Sequence, residues 1–120
     1  MIYLLLQYVE QEERPEMKLY LDDYRTPPED AGYISADNFA DFLTLLDTYR
    51  YSIELADLDY DLGYDSLYSG YHVLVYMKEH GICPEHINIH STHDIGRVKM
   101  LKYAAANFPD ALVTGWESVY

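Results

Sequence analysis

The sequence predicts a single α/β domain built on a parallel sheet. Three observations lead there. The chain has 120 residues, 49% of them hydrophobic, enough for one core but not comfortably for two. Short apolar runs that read as strands alternate with stretches whose apolar residues recur at helical spacing. Such alternation implies parallel strands with helices covering both faces of the sheet. No internal repeat or low-complexity segment interrupts it.

Residues 18–22 read as the first strand, with Leu19, Tyr20 and Leu21 ending in an acidic pair. Residues 24–30 form a loop marked by Pro27 and Pro28. A short second strand is expected over 32–35, with Ser35 as the cap of a helix whose apolar face is Phe39, Phe42, Leu43, Leu46 and Tyr49. The third strand spans 52–59. After a loop, Ser69 caps a helix with Val73, Leu74 and Met77 facing inward, and Gly81 ends it. A fourth strand covers 87–90. Asp94 is placed as the cap of a last helix running to about Asn107, with Ile95, Val98, Leu101, Ala105 and Phe108 available for burial. A fifth strand covers 111–114. One link resists the scheme: a parallel crossover ordinarily takes a dozen or more residues with a helix, and the Pro-rich link after the first strand is shorter. The first crossover helix is therefore expected to be reduced or missing.

Composition excludes some function classes. A formal charge of −13 repels nucleic acid and anionic lipid, so a general nucleic-acid groove binder or a membrane-surface protein is not expected. The lone Cys83 rules out an internal disulfide framework and fits a reducing, cytoplasmic setting. Met1 to Leu6 is too short to span a bilayer and runs into the acids Glu10 to Glu13, unlike a signal peptide. Residues 1–16 are expected to be a leader, an extra strand or a short helix before a domain over 17–120. The fourteen tyrosines supply apolar area with a polar tip and carry no assigned role.

In an open parallel sheet, ligands bind beyond the carboxyl ends of the strands. Asp22 and Asp23 end the first strand, Asp59 and Asp61 the third, and His90 with Ser91 the fourth. A single aspartate there ordinarily caps a turn. Four together repel one another unless a cation joins them, and oxygen ligands suit a hard ion such as Mg²⁺ that also binds phosphate. His90, beside these acids, is a candidate general acid because its reference pKa lies near neutrality. His72, His80, His86 and His93 are expected on helices or loops, in solvent. Asp57 shares the parity of Asp59 but lies deeper and receives no role. Arg97 and Lys99, at the start of the last helix, are candidates for contacting an anion there.

Several motifs in order resemble one family. Leu21-Asp22-Asp23-Tyr24-Arg25 followed by Pro27 and Pro28 resembles the LDD-x-R-x-P opening of the cyclic-phosphate processing receiver-like domains. Leu58-Asp59-Tyr60-Asp61-Leu62-Gly63 is similar to their LDHDLG signature, Gly70-Tyr71 to their next helix start, and Ile89-His90-Ser91 with Gly96 and Met100 to their hHS-x-N-x-x-G…M segment. The similarity runs from about residue 18 to about residue 105. Two positions depart: Tyr60 stands where the family usually has His, and His93 where it usually has Asn. The segment 111–116, which holds the final strand, has no Lys of the kind that pairs with an acylphosphate, which argues against an ordinary phosphoacceptor receiver.

The resemblance implies a flavodoxin-like, doubly wound sheet of order 2-1-3-4-5 and an acid pocket handling a phosphate with a divalent metal. On that reading Asp22, Asp23 and Asp59 hold Mg²⁺ or Mn²⁺. Asp61 orients water or completes the metal shell, His90 protonates the leaving oxygen, and Ser91 contacts a phosphate oxygen. Arg25, His93 and Arg97 bind a substrate that is a cyclic phosphate on a nucleotide or an RNA end. The competing reading is a non-catalytic receiver-like module that binds a partner protein or a phosphorylated ligand.

Overall fold

The structure is a computed structural model and describes residues 16–29 and 31–115. Its strands are β1 (Met17–Leu21), β2 (Tyr33–Ala36), β3 (Ile53–Leu58), β4 (His86–Ile89) and β5 (Leu112–Gly115), and its helices are α1 (Phe39–Thr48), α2 (Gly70–Glu79) and α3 (Asp94–Asn107). The strands pair in parallel in the order β2-β1-β3-β4-β5, as expected. The link from β1 to β2 carries no helix among the described residues. Pro27 and Pro28 fix φ, lack amide donors and disfavour the α region just before them. Residues 1–15, the bulk of the expected leader, lie outside the described residues. No helix of the described residues is long and apolar enough to cross a membrane.

Alternate strand residues enter one core, except near Ile53, where the register between β1 and β3 shifts. Leu19, Leu21, Ala56, Leu58, Ile87 and Ile89 are fully buried against Phe42 and Leu46 of α1, Val73, Leu74 and Met77 of α2, and Met100 and Ala104 of α3. The helices share this face for a topological reason. The steps β2 to β3, β3 to β4 and β4 to β5 run in one direction along the sheet, and right-handed crossovers in one direction stay on one side. The step β1 to β2 runs the other way, and it is the one without a helix. Where helices were expected on both faces, the second face therefore carries none among the described residues.

That second face is polar. Tyr20, Asp57, Asn88 and Thr114 lie side by side in register. Asn88 Nδ2 donates to Asp57 Oδ1 at 3.0 Å, and Thr114 Oγ1 donates to Asn88 Oδ1 at 2.7 Å. His86, expected in solvent, lies in β4 with its Nε2 2.6 Å from Thr114 Oγ1.

Helix ends depart from expectation at two caps. Ser35 belongs to β2, and the cap of α1 is Asn38, whose side chain accepts from Asp41 N at 2.8 Å. Asp94 is the first residue of α3, and its cap is His93, whose Nδ1 accepts from Gly96 N at 2.9 Å. Ser69 caps α2 as expected, with His72 Nδ1 returning a bond to Ser69 N, so His72 too has a structural task. Gly81 leaves α2 at φ +67, a region costly for other residues. The buried face of α3 is Gly96, Arg97, Met100 and Ala104, while Ile95 is exposed. It is set by a glycine: a Cβ on Gly96 would lie 2.3 Å from the Tyr60 ring.

Gly70 is tighter still. A Cβ there would lie 1.8 Å from Asp59 O and 2.8 Å from Met100 Cε. Gly70→Ala should destabilise by about 3 kcal/mol, since the backbone itself must move. Gly81→Ala, with open space around it, should lose only the ~1–2 kcal/mol of a left-handed backbone. Urea denaturation compares them, and equal losses would contradict the close packing at Gly70.

Candidate functional site

The ladder continues past the strand ends. Asp59 N donates to Leu21 O at 3.0 Å and His90 N donates to Leu58 O at 2.9 Å. These bonds set Asp22, Asp59 and His90 at one level, with one ligand atom of each within 4.8 Å of the others. His90 Nε2 lies 2.9 Å from Asp22 Oδ2, and His90 Nδ1 lies 2.6 Å from Asp57 Oδ1. Carboxylates only accept, so both ring nitrogens are assigned as donors and His90 as an imidazolium. Tyr20 stacks on it in parallel, with centroids 4.7 Å apart. Burial pulls the His90 pKa down, but the hydrogen bond and charge of Asp57, with Asp22 and Asp59, outweigh it, and the net shift is upward. Asp22 is fixed on its other oxygen, where Oδ1 accepts from Tyr24 N at 2.9 Å and Arg25 N at 2.8 Å.

The four predicted aspartates line one cavity of about 590 Å³, together with Arg25 and His93. Burial first, and then the charge of Asp22, raise the Asp59 carboxyl above its usual range, against opposing bonds from Ser91 and Tyr60 N. Asp23 is raised too, by burial and by the charges of Asp22, Asp61 and Asp37. Asp61 is exposed and accepts from Gly63 N at 3.0 Å.

Not every predicted residue joins them. His90 is buried beneath Asp22 rather than at the rim. Ser91 is fully buried: it bonds Asp59, and its Oγ accepts from His93 N at 3.1 Å. Arg97 is buried outside the cavity lining, donating to Ser91 O at 3.0 Å and Asp94 Oδ1 at 2.8 Å, so it braces the β4–α3 loop. Lys99 sits over the Tyr71 ring at 4.0 Å. Arg25 does reach the site, with NH1 3.3 Å from His90 O and NH2 3.4 Å from Thr92 Oγ1. Asp57 is the residue sequence reasoning missed. The available signal was its parity with Asp59, next to a strand that ends in histidine.

With this geometry in view, comparison with known families is decisive: the model of the cyclic-phosphate processing receiver domain matches residues 17–106. The chain belongs to that family. No curated protein and no solved structure matches it. In this receiver domain the two departures from the family motif touch each other. The Tyr60 and His93 rings lie 4.7 Å apart at 32°, and Tyr60 also packs against Gly96.

The donor set fits a hard divalent cation. An imidazolium holds no metal, so the carboxylates remain as ligands, and two of them, Asp23 and Asp59, are raised first by burial and then by the charge of Asp22, a repulsion a cation relieves.

The raised pKa of His90 makes stability depend on pH in one direction. Its contribution is complete below the unfolded imidazole value of about 6.5 and is lost as pH rises through the higher folded value. Asp57→Asn should destabilise by about 3 kcal/mol at pH 6, because it breaks a buried charge pair, and should flatten the decline of stability above neutrality. Urea denaturation from pH 5 to 9 reads both. Parallel pH profiles for the two proteins would mean His90 is neutral.

Proposed function

We propose that this receiver domain hydrolyses a cyclic phosphate with the help of a divalent metal. The observation that carries the reading is the ring of Asp22, Asp23, Asp59 and Asp61 on one cavity above a buried imidazolium, in a chain of the cyclic-phosphate processing family. Bound Mg²⁺ or Mn²⁺, held by Asp22, Asp23 and Asp59, would polarise a phosphoryl oxygen and acidify water. Asp61, exposed on the cavity wall, accepts the proton of the attacking water as its oxygen bonds to phosphorus. One ring P–O bond breaks, and the departing alkoxide takes a proton relayed from His90 Nε2 by way of the Asp22 carboxyl that covers it. Arg25 opposes the charge of the phosphate. Ser91 acts through Asp59, which it holds in place.

One observation favours a second reading, a binding module without turnover: both nitrogens of His90 are engaged by carboxylates. Turnover separates the two. With Mg²⁺ or Mn²⁺, the protein should open 2′,3′- or 3′,5′-cyclic nucleoside monophosphates, and either ion should raise the melting temperature by mass action. Asp59→Asn should blunt the metal effect and lower turnover by roughly a hundredfold. His90→Ala should lower turnover by at least roughly a hundredfold while metal binding persists. A melting curve indifferent to millimolar metal, with no turnover of any cyclic phosphate, would end the hydrolytic reading.

A further inference from the structure

Among the described residues, the two most exposed large apolar side chains both stand at the acid cavity. Tyr64 is 100% exposed and Tyr24 91%, and each lines it. Neither ring packs on the core. Three other tyrosines do structural work: Tyr20 stacks on His90, Tyr60 packs against His93 and Gly96, and Tyr76 donates to Asp47. Two bare aromatic faces beside a phosphate-sized acid site are the arrangement on which nucleobases stack, since every base presents a π face.

There is room for the rest of a nucleoside. A second cavity of about 630 Å³ shares Asp22, Asp23, Tyr24 and Arg25 with the first and extends to Thr44 and Leu45 of α1. It lies beside the link from β1 to β2, which has no helix among the described residues.

Charge limits how much nucleic acid can follow. The chain carries −13, and among the described residues Arg25 is the only lysine or arginine lining either cavity. Each further phosphate of an RNA strand adds a unit of repulsion, whereas a cyclic mononucleotide brings only one negative charge.

We propose that the site takes a mononucleoside cyclic phosphate rather than an RNA end, with its base stacked on the rings of Tyr24 and Tyr64. This rests on the reading of the site as one that binds cyclic phosphates.

The test uses the full chain with Mg²⁺ and three probes: adenosine 2′,3′-cyclic monophosphate, glycerol 1,2-cyclic phosphate (the same ring without a base), and a short RNA ending in a 2′,3′-cyclic phosphate. Calorimetry reads binding, and steady-state kinetics read turnover. Tyr24→Ala and Tyr64→Ala should each raise Kd and KM for the nucleotide roughly tenfold or more, with kcat little changed. Tyr24→Phe and Tyr64→Phe should stay near wild type, because the ring rather than the hydroxyl does the holding. The base-free probe should bind weakly and equally to all variants. The RNA should bind less well than the nucleotide at low salt, and the gap should narrow as salt screens the acids. Nucleotide affinity untouched by both Ala substitutions, or a base-free probe bound as tightly as the nucleotide, would overturn the role of the tyrosines. Preference for the RNA at low salt would overturn the choice of substrate. Nucleotide binding that depends on the tyrosines without turnover would refute hydrolysis and leave this inference standing. No binding of any probe would refute both.

Discussion

An imidazolium clamped between two carboxylates ties the ends of β1, β3 and β4 together, and the rest of the site depends on it. His90 bonds Asp22 at 2.9 Å and Asp57 at 2.6 Å, all three buried. Breaking such a buried pair from one side typically costs about 3–5 kcal/mol, because the remaining charge has no compensation. The balance of charge also matters. One imidazolium faces Asp22, Asp57 and Asp59, so the cluster keeps surplus negative charge toward the cavity, where Asp23 and Asp61 add to it. A cation-seeking surface thus follows from how the strand ends are held, before any ligand arrives.

Much of this was legible in the sequence because strand ends announce themselves. Asp22, Asp59 and His90 each follow an apolar run, and a parallel sheet brings such ends to one edge. Asp57 was legible only in its parity with Asp59, because a mid-strand acid takes a role only once its neighbours in register are known to be Tyr20 and Asn88. The one-sided burial was written in the strands all the same. MKLYL and HINI alternate, whereas parallel strands covered on both faces read as continuous apolar runs. The face of α3 escaped because it packs through Gly96 against an aromatic ring, and apolar periodicity does not register a glycine. The caps at Asn38 and His93 escaped because capping preference names residue types, and here Ser35 and Asp94 stood nearby.

The two departures from the family pattern make one local unit. Tyr60 lies against His93, which lines the cavity, and Gly96 leaves the space that the larger ring occupies. The ring at position 60 fills volume between the ends of β3 and α3, while the imidazole at 93 caps the helix. Both positions therefore shape the loops that carry Asp59, Asp61 and Ser91.

The glycines at the starts of α2 and α3 also decide where the site can give. Gly70 abuts Asp59 O, and Gly96 abuts the Tyr60 ring. In mechanical terms residues 59 and 60 are a wedge driven between two helix ends, so neither helix can slide along β3 without lifting it. The other wall has no such wedge. Among the described residues it is a link without a helix leading to β2, an edge strand of four residues paired only with β1. Stiffness is therefore unequal around the cavity, and an occupant that enlarges it displaces β2 and α1 before it disturbs α2 and α3.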